Sequence, residues 1–248
     1  MIRLTDYPLV FFAISLVVLS AAAMLGIRMA PRIAEVREDF SVILTATLTL
    51  LGLLLGFTFS MSVGRYDQRR QCEAEEANAI GTEYVRAELL PDTAEIRGLL
   101  RDYLDQRILF YGTHDEERQK QIAAATAGLQ SSLWKNVKDA SMAQQTPIVA
   151  LAVSGMNDVL NTQSYTQAAW LNRIPVEAWS LLAFIATCAT LMVGMSVRHG
   201  RSFSSLILIF CVVVSVSLLL IADIDSPRSG LIHIRPLNLM DLAASLRP

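Results

Sequence analysis

Cysteine and histidine are scarce in this sequence, which has three of each among its 248 residues. Cys188 and Cys211 fall within apolar stretches and Cys72 stands alone in a polar region, so no disulfide framework is indicated. The sequence also has no Gly-rich phosphate loop and no nucleophile motif. The histidines lie in separate segments without a partner at metal-ligand spacing, at His114, His199 and His233. These absences argue against an enzyme, a metal site or a bound cofactor.

Charged residues are absent from four long apolar stretches, although they make up 18% of the whole sequence. With 53% hydrophobic residues and a mean hydropathy of +0.41, the composition is typical of a membrane protein. Each stretch has the roughly 20 residues with which a helix crosses the hydrocarbon core. A transport pathway is usually marked by charged groups inside the membrane, so their absence disfavours a transporter. The predicted spans are Leu9–Ile27, Val42–Val63, Ala178–Val197 and Ser205–Ala222.

A long polar region separates the second and third spans. Its apolar residues recur at helical spacing, and prolines or glycines interrupt the pattern. We therefore predict four helical segments there, which end near Leu90, Gly112, Gln145 and Trp170. An even number of antiparallel helices returns the chain to the membrane surface that it left, as the third span requires. The predicted fold is an all-α membrane protein with two transmembrane hairpins at 1–63 and 178–222, a helical domain at 64–177 inserted between spans two and three, and a tail at 223–248.

The arginines near the span ends bear on the orientation of the chain. Two short loops, residues 28–40 and 198–203, face one side of the membrane, while both termini and the helical domain face the other. The two sides carry similar numbers of arginines, with a small excess on the side of the domain. Because positive residues concentrate on the cytoplasmic side, this excess favours a cytoplasmic domain. The net charge of −2 gives no indication of a nucleic-acid partner.

The second span continues into charged sequence without a proline or a turn cluster, and one of its faces changes character along the way. At about 100° per residue, the positions nearest to Phe57 are apolar or small within the membrane and polar beyond it. We call this set the Phe57 line. It consists of Leu53, Phe57, Met61, Gly64, Gln68, Gln71, Glu75, Thr82 and Arg86.

Small residues follow a second line on the same helix, about a third of a turn from Phe57. Such residues, three or four positions apart, let helices in lipid approach one another closely. We call them the small-residue stripe: Thr45, Thr49, Gly52, Gly56 and Ser60. Two interpretations remain open. The stripe could be the surface for a neighbouring helix, or Phe57 could face lipid while the stripe packs against another span of the same chain.

The charged residues after the span also allow more than one interpretation. Arg65, Arg69 and Arg70 fit either an ordinary membrane interface or a vestibule that attracts ions. Glu73, Glu75 and Glu76 would ordinarily form a solvated face.

The run "LLGFTFSMSVGRYDQ" resembles the pore-lining helix of bestrophins, which carry Leu-Gly-Phe followed by an arginine and an aromatic residue. The matching positions are Leu55, Gly56, Phe57, Arg65 and Tyr66. The segment "LIADIDSPRSGLI" is similar to the acidic, Pro- and Gly-containing segment after the last bestrophin span. Span order and the long second helix make the whole chain most similar to the bacterial bestrophin-like membrane proteins.

The resemblance implies a pentameric ion channel in the bacterial inner membrane, with the helical domain in the cytoplasm. Its narrow neck would fall on Thr49, Leu53 and Phe57, of which Thr49 departs from the apolar pattern of the family. The Phe57 line then assigns Gln68, Gln71 and Glu75 to a pore vestibule and Arg65 to the pore mouth. Subunit packing is assigned to Gly52, Gly56 and Ser60. The expected partners are further copies of the chain, membrane lipid and small ions.

Two acidic residues at the end of the fourth span form a candidate cation site. Asp223 and Asp225 precede Pro227 and Gly230, which turn the chain, and a cation there would bind carboxylates together with backbone carbonyls. The alternative is a polar end to the span, with aspartates that cap a turn. Two carboxylates alone rarely form a tight calcium site, so the second interpretation is favoured.

The sequence thus predicts a homo-oligomeric ion channel whose second span lines the pore. The alternative is a non-conducting membrane scaffold or sensor whose helical domain binds a partner protein. A scaffold has no need for polar residues that continue the Phe57 line beyond the bilayer, and this feature favours the channel.

Overall fold

The computed structural model describes residues 4–30, 37–90, 93–143, 146–196 and 205–247. These ranges contain helices and no strand, which confirms the all-helical prediction. The helices are α1 (Pro8–Met29), α2 (Arg37–Arg86), α3 (Thr93–Gly112), α4 (Glu116–Ala143), α5 (Pro147–Leu171), α6 (Val176–Met195), α7 (Ser205–Asp225) and α8 (Leu237–Ser245). The loop predicted at 198–203, residues 31–36 of the loop predicted at 28–40, and the break at Pro91 lie outside the described residues.

Within the described ranges, four helical stretches are long and apolar enough to cross a membrane, judged by length and composition. They are Pro8–Met29, Asp39–Leu89, Pro147–Met195 and Ser205–Asp225. The third stretch comprises α5 and α6, and the predicted span Ala178–Val197 corresponds to α6, although Val197 itself is outside the described residues.

Helix α2 runs for 50 residues without interruption, as the sequence predicts. Several of its hydroxyl side chains find a partner within the helix, because they donate to backbone carbonyls one turn earlier. Thr58 Oγ1 donates to the Leu54 carbonyl at 2.6 Å and Ser62 Oγ to the Thr58 carbonyl at 3.0 Å. Polar side chains satisfied within their own helix are tolerated in an apolar environment.

The chain divides into two compact units. The first unit comprises Met1–Arg65 and Arg173–His233, and the second comprises Tyr66–Asn172 and Ile234–Pro248. In the first unit, α1, α6, α7 and the beginning of α2 enclose a core that includes Leu19, Leu51, Leu182 and Leu218.

Helices α1 and α6 approach each other through two glycines. A Cβ atom built on Gly26 would lie 2.0 Å from the Leu191 carbonyl oxygen, and one built on Gly194 would lie 2.2 Å from the Ala23 carbonyl oxygen. Each glycine therefore makes room for the backbone of the other helix. This is the close packing that small residues permit between helices in lipid.

The second unit has a core formed by α3, α4, α5, α8 and the end of α2. Ile80, Tyr103, Leu133, Met156 and Leu239 are among its fully buried residues. Helix α8 falls in the region that the sequence describes only as a tail. Its apolar residues are one turn apart, and Leu242 lies close enough to Gly81 of α2 that a Cβ on this glycine would be 3.0 Å away.

The substitution Gly26→Ala is expected to lower the free energy of unfolding by roughly 1–3 kcal/mol. The reason is that the added methyl group would overpack a contact with backbone atoms that cannot move aside. Purified protein in detergent, unfolded by heat and followed by tryptophan fluorescence, provides the measurement. Gly98→Ala in α3 is the matched control, since a Cβ there meets nothing within 4 Å and alanine favours the helix. Equal melting temperatures for the two variants would contradict the close approach of α1 and α6.

Candidate functional site

The apolar part of the Phe57 line lies on the outside of the chain. Leu53, Phe57 and Met61 are 52%, 60% and 48% exposed, and Thr49 is exposed as well. By contrast, Leu51 on the opposite side of α2 is 2% exposed and belongs to the core of the first unit. One side of the helix is therefore used by the chain itself, and the side with the predicted neck residues is left uncovered.

The small-residue stripe is on the uncovered side too. Gly52, Gly56 and Ser60 are exposed, and a Cβ built on Gly52 or Gly56 would meet no atom within 4 Å. The stripe therefore does not pack against another described helix of the same chain, which was one of the two interpretations left open by the sequence. This contrasts with Gly26 and Gly194, whose small size is used within the chain.

The polar part of the Phe57 line forms one wall of a hollow in the second unit. Gln68, Gln71 and Glu75 line a hollow of about 390 Å³ together with Tyr165 and Asn172. Gln71 Nε2 donates to Glu75 Oε1 at 2.8 Å. The three predicted vestibule residues are thus exposed and share one water-accessible surface, which carries amide and carboxylate oxygens.

The three arginines after the span differ in their environments. Arg65, the predicted pore-mouth residue, is half-buried and Arg70 is exposed. Arg69 is fully buried, and its Nε and Nη2 donate to the carbonyls of Ala169 and Asn172 at 3.2 and 3.1 Å. A cation at this position satisfies the carbonyls at the C-terminal end of α5, so the Arg69 side chain is used within the chain and is not exposed to solvent.

Two of the three glutamates expected on a solvated face are buried, and this expectation is wrong for them. Glu73 Oε1 accepts from the Leu239 amide at 3.0 Å and Oε2 from Asn238 Nδ2 at 2.6 Å. The carboxylate therefore caps the N-terminal end of α8, where the helix dipole favours a negative charge. Only Glu75 of the three is exposed.

Glu76 pairs with Arg107 of α3 in the interior of the second unit. Both side chains are at most 2% exposed, and Thr166 Oγ1 of α5 donates to Glu76 Oε2 at 3.2 Å. The Arg107 guanidinium also lies 4.5 Å from the centre of the Phe110 ring. Burial raises the pKa of the neighbouring Tyr103 and Tyr111 hydroxyls above their usual range, and the Glu76 charge adds to this effect, so both phenols stay neutral.

The two aspartates of the candidate cation site bind protein groups. Asp223 Oδ1 and Oδ2 accept from the Leu231 and Ile232 amides at 2.8 and 2.9 Å, and Asp225 Oδ1 accepts from the Ile174 amide at 3.1 Å. The loop from Asp223 to its partners Leu231 and Ile232 is possible because Gly230 has a φ of +120°. A Cβ there would lie 2.0 Å from Asp223 Oδ1.

A further pair of contacts surrounds this loop. Arg173 lies 2.5 Å from Asp6 and 3.7 Å from Asp225. Capping of a turn, the alternative favoured by the sequence, describes the bonds of Asp223. Asp225 instead binds the backbone of Ile174, in the segment before α6. No group of three or more possible metal ligands occurs within the described part of the chain.

Comparison with known proteins agrees with this architecture. The sequence model of the bestrophin-like domain matches residues 10–239. A crystal structure of a bacterial bestrophin homologue from Klebsiella pneumoniae superposes with a TM-score of 0.63 at 13% identity, covering 94% of this chain and 98% of the homologue. A single-substitution variant of this homologue gives a TM-score of 0.66 at 13% identity and covers 95% and 97% of the two chains.

No curated protein matches the sequence of this chain. At 13% identity, the structural similarity to the Klebsiella homologue establishes a shared fold. The family model extends over most of the sequence and includes both the pore-helix motif and the acidic segment after α7. The resemblance seen in the sequence is confirmed, and the chain belongs to the bestrophin-like family.

Proposed function

We propose that this protein is the subunit of a homo-oligomeric ion channel, with α2 lining the pore. One observation carries the proposal: the uncovered side of α2 is apolar where the helix can cross a bilayer and polar beyond it. Leu53 and Phe57 are more than half exposed, and Gln68, Gln71 and Glu75 continue their line. A helix that merely faces lipid has no reason to place glutamines and a glutamate on the continuation of its lipid-facing line.

Symmetric assembly would turn this side into a passage. Copies of α2 around a common axis would form an apolar neck from Thr49, Leu53 and Phe57, and the pentamer implied by the family resemblance would repeat each residue five times. An ion in such a ring loses hydration without gaining ligands, so the ring acts as a barrier or gate. Thr49 would make one end of the neck more polar than the other.

The small-residue stripe supplies the surface on which neighbouring copies would pack. Gly52, Gly56 and Ser60 are exposed, and the glycines leave open space beside the backbone. Lipid tails are as apolar as leucine, so no hydrophobic driving force brings helices together in a membrane. Helices in lipid therefore associate through close approach of their backbones at such small residues. A monomer would leave this stripe facing acyl chains without use.

The vestibule would follow the neck on the side of the second unit. A ring of Glu75 carboxylates concentrates cations in a narrow space, whereas Arg65 at the mouth favours anions. With four spans and an even number of helices in the inserted domain, both termini and the second unit would lie on one side of the membrane. The excess of arginines and the family resemblance favour the cytoplasm of a bacterial cell for that side, with the spans in its inner membrane.

The neck is tested by the double substitution Leu53→Ala and Phe57→Ala. Removal of the two large apolar side chains should widen and hydrate the constriction, so the protein in planar bilayers should conduct more than the wild type, with little change in ion preference. Leu9→Ala with Phe184→Ala is the matched control, because these residues are exposed apolar residues of other spans. If the wild type and the neck variant are both silent over a range of voltage, pH and calcium, the protein is a scaffold or sensor.

Assembly is tested by Gly56→Leu. A leucine in the stripe keeps the backbones of adjacent copies apart, so native mass spectrometry in detergent should show loss of the oligomer. The control Val17→Ala truncates an exposed residue of α1 and should leave the oligomer intact. A monomeric wild type, or an unchanged mass for Gly56→Leu, contradicts the proposed subunit interface.

Orientation is tested with a cysteine at Ser131, an exposed position in α4. Cys72 is itself unsuitable for labelling, since it is 9% exposed. In a Cys188→Ala background, Ser131→Cys should react with an impermeant maleimide in inverted membrane vesicles and not in intact cells. Labelling of intact cells would reverse the proposed orientation.

A further inference from the structure

Glu83 of α2 is buried without a partner. Its side chain is 0% exposed, and both carboxylate oxygens lack a hydrogen bond from any described residue. A buried ionised carboxylate in this situation is strongly destabilising, whereas the neutral acid is tolerated. An unsatisfied buried group of this kind needs a physical explanation.

The carboxyl group lies against the backbone of α5. A Cβ atom built on Gly155 would be 2.0 Å from Glu83 Oε2 and 2.6 Å from Arg86 Nη1. Both side chains therefore occupy the space that Gly155 leaves by lacking a side chain. Arg86 Nη1 donates to the Leu151 carbonyl at 3.4 Å, a long hydrogen bond. A small rotation would take this guanidinium from α5 to an ionised Glu83.

A groove of about 460 Å³ lies beside this position, although Glu83 itself does not line it. Arg86 and Gly155 line it, together with Glu75, Thr82 and Asp158. The charged groups that act on Glu83 are Arg86 from its own helix and Asp158 from α5. The groove is lined by Arg86 and Gly155, which adjoin the Glu83 carboxyl group, so it is the route by which a proton from Glu83 would reach water.

We propose that Glu83 is a proton-binding site and that its ionisation is a switch acting on the contact between α2 and α5. In the protonated state, Arg86 is bound to Leu151 of α5. When the proton leaves to water, the new negative charge attracts Arg86 and breaks that bond. The switch deepens the channel proposal, because Thr82 and Glu75 beside it belong to the Phe57 line.

The direction of the pH effect follows from the environment of the carboxyl group. Burial raises the pKa of Glu83 from 4.5 to about 8, Arg86 opposes the rise, and Asp158 adds to it. The folded chain then holds a proton that the unfolded chain releases between these two pH values. Stability from this group is therefore full below about pH 4.5, falls as the pH rises, and levels off above about pH 8.

Thermal unfolding of the full chain in detergent over pH 5–9 tests the proton site. Relative to Glu83→Gln, the wild type should lose up to about tenfold in its folding equilibrium constant per pH unit within the window, seen as a widening gap in melting temperature. Glu117→Gln, at an exposed position, should stay parallel to the wild type. A gap between Glu83→Gln and the wild type that does not change with pH overturns the proposal.

Two further variants test the proton site even if Glu83→Gln does not fold. Asp158→Asn should move the infrared signal of the protonated Glu83 carboxyl to a lower titration midpoint, and Arg86→Gln should move it to a higher one. Absence of a protonated carboxyl signal at neutral pH, or the same shift direction for both variants, overturns the proposal. Neither measurement needs conduction, so a failure of the channel proposal would be distinguished from a failure of the proton site.

A bilayer recording then tests the link to the pore, which rests on the proposed function. Ionisation of Glu83 in every subunit would add negative charge beside the vestibule, so the reversal potential in a salt gradient should move toward cation preference as the pH rises. Glu83→Gln should abolish this shift. A pH-independent reversal potential in a conducting wild type would overturn the link to the pore and leave the thermal result to decide the proton site.

Discussion

The buried pair of Glu76 and Arg107 joins α2 to α3, and two more buried charges extend the same arrangement. Arg69, Glu73 and Glu76 follow each other at four- and three-residue intervals and therefore share one side of α2. Arg69 binds the end of α5, Glu73 binds the beginning of α8, and Glu76 binds Arg107 of α3 and Thr166 of α5. Burial of a charge costs several kcal/mol unless it is paired, so each of these charges depends on the partners that it has.

The side of α2 opposite to these buried charges is not covered by the described part of the chain. The buried charges and Leu51 commit one side of the helix to its own chain, while Gly52, Gly56 and Phe57 remain exposed. A helix in which both sides were covered by the same chain could not be shared with copies of the protein. The exposed residues therefore lie on the side of α2 that its own chain does not use.

The helices could be predicted from the sequence because apolar periodicity and proline positions determine where they begin and end. The burial of the charged side chains could not be predicted, because charged residues in a helix are expected to face solvent unless their partners are known. This applies to Arg69, Glu73 and Glu76. Arg107 did have a signal, since it lies midway between Tyr103 and Tyr111 on the buried stripe of α3. Helix α8 was missed because nine residues give too few turns for a periodic pattern.

The candidate site shows the same limit. The Phe57 line and the small-residue stripe depend only on spacing along one helix, so the sequence was sufficient to define both of them. Exposure of these residues depends on what the rest of the chain covers, which spacing cannot reveal. The hydrogen bonds of Asp223 depend on the left-handed conformation of Gly230. The sequence indicated a turn at this position, but it did not indicate which amides Asp223 would bind.

Glu76 and Glu83 provide the clearest contrast within the structure, because they are seven residues apart on the buried side of one helix. Glu76 has Arg107 and Thr166 as partners, whereas Glu83 faces a glycine of α5. A leucine at position 83 would fill a buried space without the cost of an unpartnered carboxyl group. Packing therefore does not require a glutamate at this position. A group that titrates does require an acid, and a glycine opposite it is what brings the acid and Arg86 close to the same point on α5.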